Sequence, residues 1–216
     1  MEKLAKKLAS DIALSLEYDK EKEAVIAYGL FGIFQIFLTT AMIILLGFII
    51  GAPIEATILC FSVSLLKKYS GGVHVNTPGM CVFISAFICT LFAAASKWLL
   101  AGIYHPTPML IAIVVIYLLS FVIIFKNVPV DSPNKPITSE TKIRRMRRGS
   151  FTLITFYFLL SGLFYILSFN RKEFGTYGIS MLFGVAWQVF TLTTPGTLFM
   201  NGINHFISLL RKEDQK

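Results

Sequence analysis

Apolar residues run along this chain in long blocks separated by short polar breaks, and the block lengths are those of helices that cross a lipid bilayer. The blocks extend roughly from Ala27 to Ile50, Gly51 to Leu66, Cys81 to Leu100, Met109 to Phe125, Phe151 to Phe169 and Phe174 to Thr194. A helix needs about 20 predominantly apolar residues to span a hydrocarbon core about 30 Å thick. The pattern therefore predicts six membrane segments. The second is short, with 16 residues from Gly51 to Leu66, so the stretch that follows, Lys67 to Met80, is expected to sit partly within the membrane.

A different periodicity appears at the two ends. Leu4, Leu8, Ile12 and Leu16 recur at helical spacing, with Ala5, Ala9 and Ala13 beside them and charges opposite. This fits a helix lying on a membrane surface and equally a helix packed on the bundle. Near the other end Phe199, Ile203, Phe206, Ile207 and Leu210 form a second apolar stripe, closed by Arg211-Lys212-Glu213-Asp214. The expected architecture is all-α: one integral membrane domain over 1–216, with an amphipathic interfacial helix in 1–24, a polytopic transmembrane bundle in 27–196 and a cytoplasmic amphipathic tail in 197–216.

Composition agrees with that reading. Of 216 residues 55% are hydrophobic and 15% charged, well outside the balance of an ordinary soluble domain. About two dozen residues with both charge signs precede the first apolar run, which is also too long for an h-region; a cleavable signal peptide is not expected.

Charge then orients the bundle. Between the fourth and fifth segments Lys126, Lys135, Lys142, Arg144, Arg145, Arg147 and Arg148 face only Asp131 and Glu140, a surplus of five out of the chain's formal +8. The positive-inside rule puts this loop in the cytoplasm, together with both termini and the stretch KKYSGGVHVNTPGMC from Lys67 to Cys81. A multi-pass protein of the cell membrane is expected, with the bilayer as its main partner and no nucleic acid among its partners.

Three cysteines, Cys60, Cys81 and Cys89, lie close together in the chain, two of them inside apolar segments. That is not a secreted disulfide framework, and Cys60 and Cys89 read as packing residues. Cys81 differs. Thr77 suits an N-cap, Pro78 suits the first helical position, and Cys81 then falls in a first helical turn, where the macrodipole favours a thiolate. His74 stands seven residues earlier.

In one unbroken helix the two residues would lie about 10 Å apart along the axis, too far for direct proton transfer. The Thr77-Pro78-Gly79 break allows the chain to turn the histidine back toward the thiol, and Gly71-Gly72 lets backbone approach a substrate closely. His74 and Cys81 are thus the candidate catalytic base and nucleophile. Small apolar cysteines packed in membrane helices and a solvated boundary histidine are the alternative. Ser70 and Asn76 are near in sequence without being marked out as a third member. A metal site is not expected, since His74 and Cys81 lack nearby companions, and no cofactor is expected.

These motifs resemble the accessory gene regulator B (AgrB) family of membrane cysteine endopeptidases in Gram-positive quorum sensing. The resemblance rests on Gly71-Gly72-Val73-His74, on Cys81 seven residues after the histidine, and on the Pro129 to Ile137 stretch before the basic loop, and it covers nearly the whole chain. It implies removal of the C-terminal tail of a short AgrD-like precursor peptide through a Cys81 thioester, and closure of the remainder into a thiolactone or lactone. It further implies a homodimer, and it makes His74 the base and Cys81 the nucleophile.

The family often has arginine where this chain has Lys67. The charge is kept and a bidentate contact is not, so Lys67 is expected to support the site as a cation, alongside Gly71 and Gly72. The Lys142 to Arg148 cluster could hold an acidic precursor tail, although topology alone would also produce it. The rival from another class is a non-enzymatic export component for the same kind of peptide. Gln188 and Thr191 fit packing glue between helices.

Overall fold

The computed structural model describes residues 1–73, 77–99, 105–130 and 139–213. Among them are eight α-helices: α1 (Glu2–Ser15), α2 (Lys20–Ile49), α3 (Pro53–Ser70), α4 (Pro78–Ala94), α5 (Pro106–Asn127), α6 (Glu140–Ser168), α7 (Glu173–Phe190) and α8 (Thr194–Glu213). The six segments read from the apolar blocks correspond in order to α2 through α7. Local chemistry explains where they start. Proline opens α3, α4 and α5, a position where its missing N–H costs no hydrogen bond. The side chain of Asp19 caps α2 by accepting from the Lys22 amide at 2.8 Å.

Helix α3 runs past the expected end at Leu66, through Lys67 and Lys68, to Ser70. Two cations in the last turn complement the helix dipole, and Gly71, with φ of +74°, stops it. At 18 residues its axis is about 27 Å long.

Inside and outside are reversed relative to a soluble protein. Exposed positions include Ile33, Phe37, Phe48, Phe87, Leu118, Phe125 and Leu159, whereas Glu55, Ser62, Ser120, Ser161, Thr176, Ser180, Gln188 and Thr191 are buried. That surface is stable only against lipid. Three of the buried hydroxyls are satisfied locally: Ser62, Ser120 and Ser180 donate to the carbonyls of Ile58, Ile116 and Thr176 at 2.7, 2.7 and 2.9 Å. Tyr117 of α5 and Ser161 of α6 bond across helices at 2.8 Å.

Four stretches are long and apolar enough to cross a membrane: α2, α5, α6 and the α4 region from Gly79 to Trp98. The other two, α3 and α7, form the centre of the bundle. Gly184 of α7 allows their close approach, since a Cβ there would lie 2.9 Å from the Cβ of Ser62 and 3.2 Å from the Leu59 carbonyl oxygen. On one flank Leu66 joins Ile113, Tyr117, Ile154, Val185 and Val189 in a core with α5, α6 and α7. On the other, Leu59 and Cys60 pack with Ile43, Ala86, Cys89 and Ala93 of α2 and α4. Phe92 stacks on Phe183 across to α7 at 5.1 Å.

Helix α1 packs on its neighbour through small residues. Ala5, Ala9 and Ala13 are buried, and the helix packs on α2. Leu4, Leu8 and Ile12 remain exposed beside that seam. At the far end α8 touches the bundle through Phe199, whose ring meets Trp187 at 6.2 Å and Phe190 at 6.1 Å.

Candidate functional site

The end of α3 and the start of α4 build the site, and the chain does not run between them as one helix. Backbone at Thr77 is extended (φ −99°, ψ 119°), as the residue before a proline should be. Helix α4 begins at Pro78, and the Cys81 amide donates to the Thr77 carbonyl at 2.9 Å. Cys81 therefore occupies the first turn, partly exposed, while Cys60 and Cys89 are buried. His74 and Asn76 lie outside the described residues.

Before the histidine the chain is held at several points. Lys67 donates from Nζ to the Val73 carbonyl at 3.5 Å. Gly71 pairs with Val130 as an isolated parallel bridge. The Val130 amide donates to the Ser70 carbonyl at 3.0 Å, and the Gly72 amide to the Val130 carbonyl at 3.4 Å.

Both glycines are required by this contact. Gly71 and Gly72 have φ of +74° and +124°, which other residues rarely adopt. A Cβ on Gly71 would collide with the Val130 carbonyl, and one on Gly72 would come within 2.9 Å of Thr191 Oγ1 and 3.3 Å of Gln188 Nε2. Gln188, fully buried, donates from Nε2 to Ser70 Oγ at 3.0 Å and to the Gly71 carbonyl at 2.9 Å. The double glycine is thus clamped between α7 and the loop after α5.

A cleft of about 1100 Å³ opens onto Gly71 and Gly72. Its far wall is α6: Lys142, Arg144, Arg145 and Arg148 line it opposite Lys68, with Glu140 as the one acidic lining residue among the described residues. Glu140 itself lies 3.5 Å from Arg144. Gly149 makes the approach of α6 to α3 possible, because a Cβ there would collide with the ring of Tyr69. The basic cluster and the glycine motif, far apart in sequence, share one cavity. Among the described residues no three His, Cys, Asp or Glu side chains are grouped so as to hold a metal ion.

Some participants were not read from the pattern. Val130 belongs to the Pro129 to Ile137 stretch, but nothing local indicates that it pairs with Gly71; residues 131–138 of that stretch lie outside the described residues. Glu55 was also passed over. A lone carboxylate inside an apolar block is itself a signal, and it is buried with Thr176 Oγ1 donating to it at 2.9 Å.

A sequence model of the family described as accessory gene regulator B matches residues 1–192. AgrB-like protein 2 of Clostridium perfringens (strain 13 / Type A) is 33% identical over 214 residues, covering 97% of this chain and 99% of that protein. An AgrB-like protein of Clostridium perfringens (strain SM101 / Type A) is 31% identical over 215 residues, covering 97% and 99%. No solved structure matches the chain.

Proposed function

The chain belongs to the accessory gene regulator B family, and from that premise we propose that it is a membrane-embedded cysteine endopeptidase that trims and cyclises an AgrD-like peptide precursor. The observation that carries the reading is the position of Cys81: first turn of α4, partly exposed, with the histidine-bearing connection immediately before it in the chain.

The steps balance as follows. His74 takes the proton from Cys81 Sγ, and the thiolate adds to the scissile carbonyl of the precursor. Pro78 has no amide proton and the Cys81 amide is bonded to Thr77; the amides of Gly79 and Met80 are the first-turn donors that can stabilise the oxyanion. The C–N bond breaks, the tail leaves as an amine with the proton from His74, and a thioester links the remainder to Cys81. A thiol or hydroxyl of the same peptide then attacks the thioester, giving a thiolactone or lactone and returning the proton to Cys81. Exchange of one thioester for another costs little where water is excluded.

The proposal includes the acidic precursor tail lying in the basic cleft, next to Gly71 and Gly72, so that binding and cleavage share one surface. It also includes six spans with both termini cytoplasmic, α3 and α7 crossing within the shelter of their neighbours, and a homodimer. The test is to mix the purified full chain in lipid with a candidate precursor and examine it by mass spectrometry. An acyl adduct on Cys81 is expected; cleavage with the adduct never forming, even on rapid quenching, overturns the covalent mechanism.

A further inference from the structure

We propose that Gln188 is a positioning residue for the Cys81 chemistry, acting through the backbone grip that sets where the connection carrying His74 leaves α3. The proposal rests on the cysteine-peptidase reading above and assigns to α7 a part in it. A buried primary amide is costly unless its hydrogen-bonding capacity is used. Gln188 spends both Nε2 donors on one short piece of chain, Ser70 Oγ at 3.0 Å and the Gly71 carbonyl at 2.9 Å, while its buried Oε1 has no hydrogen-bond partner among the described residues. Gly71 lies three residues before His74.

The grip is part of a frame rather than a single contact. Asn127 at the end of α5 donates from Nδ2 to the Leu192 carbonyl at 2.7 Å, joining the segment that carries Val130 to the end of α7. Val130 in turn bonds to Ser70 and Gly72. Thr191 donates to the Gln188 carbonyl at 2.7 Å, and its Oγ1 marks the space in which Gly72 fits. Three elements therefore converge on two glycines; the Gly71 carbonyl accepts from Ser70 Oγ at 3.3 Å as well as from Gln188, and Gln188 is the one of these two donors that reaches it from α7. The bond to Ser70 joins α7 to the last residue of α3, as packing glue would; the bond to the Gly71 carbonyl goes further and holds the start of the connection that leads to His74.

Displacement of a catalytic group by about 1 Å can cost on the order of 100-fold in rate, so loss of the grip should appear in turnover rather than in peptide affinity. The test uses the purified full chain in lipid vesicles, comparing wild type, Gln188→Met, Gln188→Asn, His74→Ala and Cys81→Ala. Two quantities are read: kcat and KM for precursor cleavage, and the rate of Cys81 alkylation by iodoacetamide against pH, resolved by peptide mass spectrometry. Gln188→Met keeps the volume and removes both donors. It should lower kcat by roughly 10- to 100-fold with KM nearly unchanged, and move the alkylation profile toward that of His74→Ala. Gln188→Asn, which keeps the amide on a shorter stem, should fall between.

Wild-type kcat in Gln188→Met overturns the proposal. So does lost cleavage with a wild-type alkylation profile, because that outcome marks a structural role alone. Cleavage by Cys81→Ala would instead remove the peptidase reading, and the alkylation profile would still decide whether Gln188 tunes the thiol.

Discussion

Glu55 and Lys97 form an ion pair across the bundle at 3.6 Å, with the carboxylate side chain only 2% exposed and the lysine side chain 36% exposed. The pair exists because the end of the third apolar block widens into a π-helical turn over Ala95–Leu99, which carries Lys97 toward the first turn of α3. The same turn lets the Trp98 indole donate to the Ile50 carbonyl at 3.0 Å. Turns of this kind often mark positions where a helix is re-aimed for a contact.

Removing one partner should therefore cost more than removing both. Lys97→Met leaves a buried carboxylate with Thr176 as its remaining partner and is expected to lower stability by roughly 3 kcal/mol. The double variant Lys97→Met with Glu55→Gln should recover part of that loss. Denaturant unfolding of the purified protein in mixed micelles measures both; equal losses in the single and double variants would show that the pair is not coupled.

Close packing between the two central helices makes a second expectation. Gly184→Ala places a methyl group against Ser62 and the Leu59 carbonyl, and a backbone atom cannot yield as a flexible side chain can. A loss of about 1–3 kcal/mol is expected, measured as a lower midpoint in the same unfolding assay. Gly162→Ala is the comparison, since nothing lies within 4 Å of a Cβ there and the substitution should be tolerated.

The three cysteines should separate cleanly. Cys81→Ala is expected to abolish precursor cleavage with insertion intact, whereas Cys60→Ala and Cys89→Ala, in buried apolar positions, should retain it. An export component with no peptidase activity would show no cleavage dependence on any of them. Rapid alkylation of the folded protein should label Cys81 first.

Charge reversal tests the cleft. Arg145→Glu with Arg148→Glu should raise KM for the precursor roughly tenfold, with kcat little changed and the difference shrinking at high salt. Membrane insertion must be confirmed for the variant, for the proposed orientation of the chain rests on the same cations. Cleavage with unaltered KM at low salt would discard the tail-binding role.

Much of the fold was legible because lipid imposes a simple grammar: apolar runs of the right length must be helices. Six runs gave α2 to α7 in order, and proline and glycine marked the ends of α3 and α4. The local half of the site was legible too, since Thr77-Pro78 fixes where α4 starts and so where Cys81 sits in it. The other half depends on pairs distant in sequence. Gln188 and Ser70 are 118 residues apart, and Glu55 and Thr176 are 121 apart. Periodicity says that such polar residues face inward, but not which of them meet. Likewise a glycine within an apolar block admits a close helix contact, and only the fold identifies Ser62 and Leu59 as what Gly184 meets.

The central position of α3 and α7 bears on how the protein is made. During synthesis Glu55 and Ser62 leave the ribosome long before Thr176 and Gln188 exist to accompany them, so α3 begins life without the neighbour that shelters it. On the proposed arrangement of six spans, stable residence of α3 in lipid awaits the arrival of α7. A nascent chain halted ahead of Glu173 should then hold α3 loosely at the translocon or the membrane surface, and the arrival of α7 should draw it home.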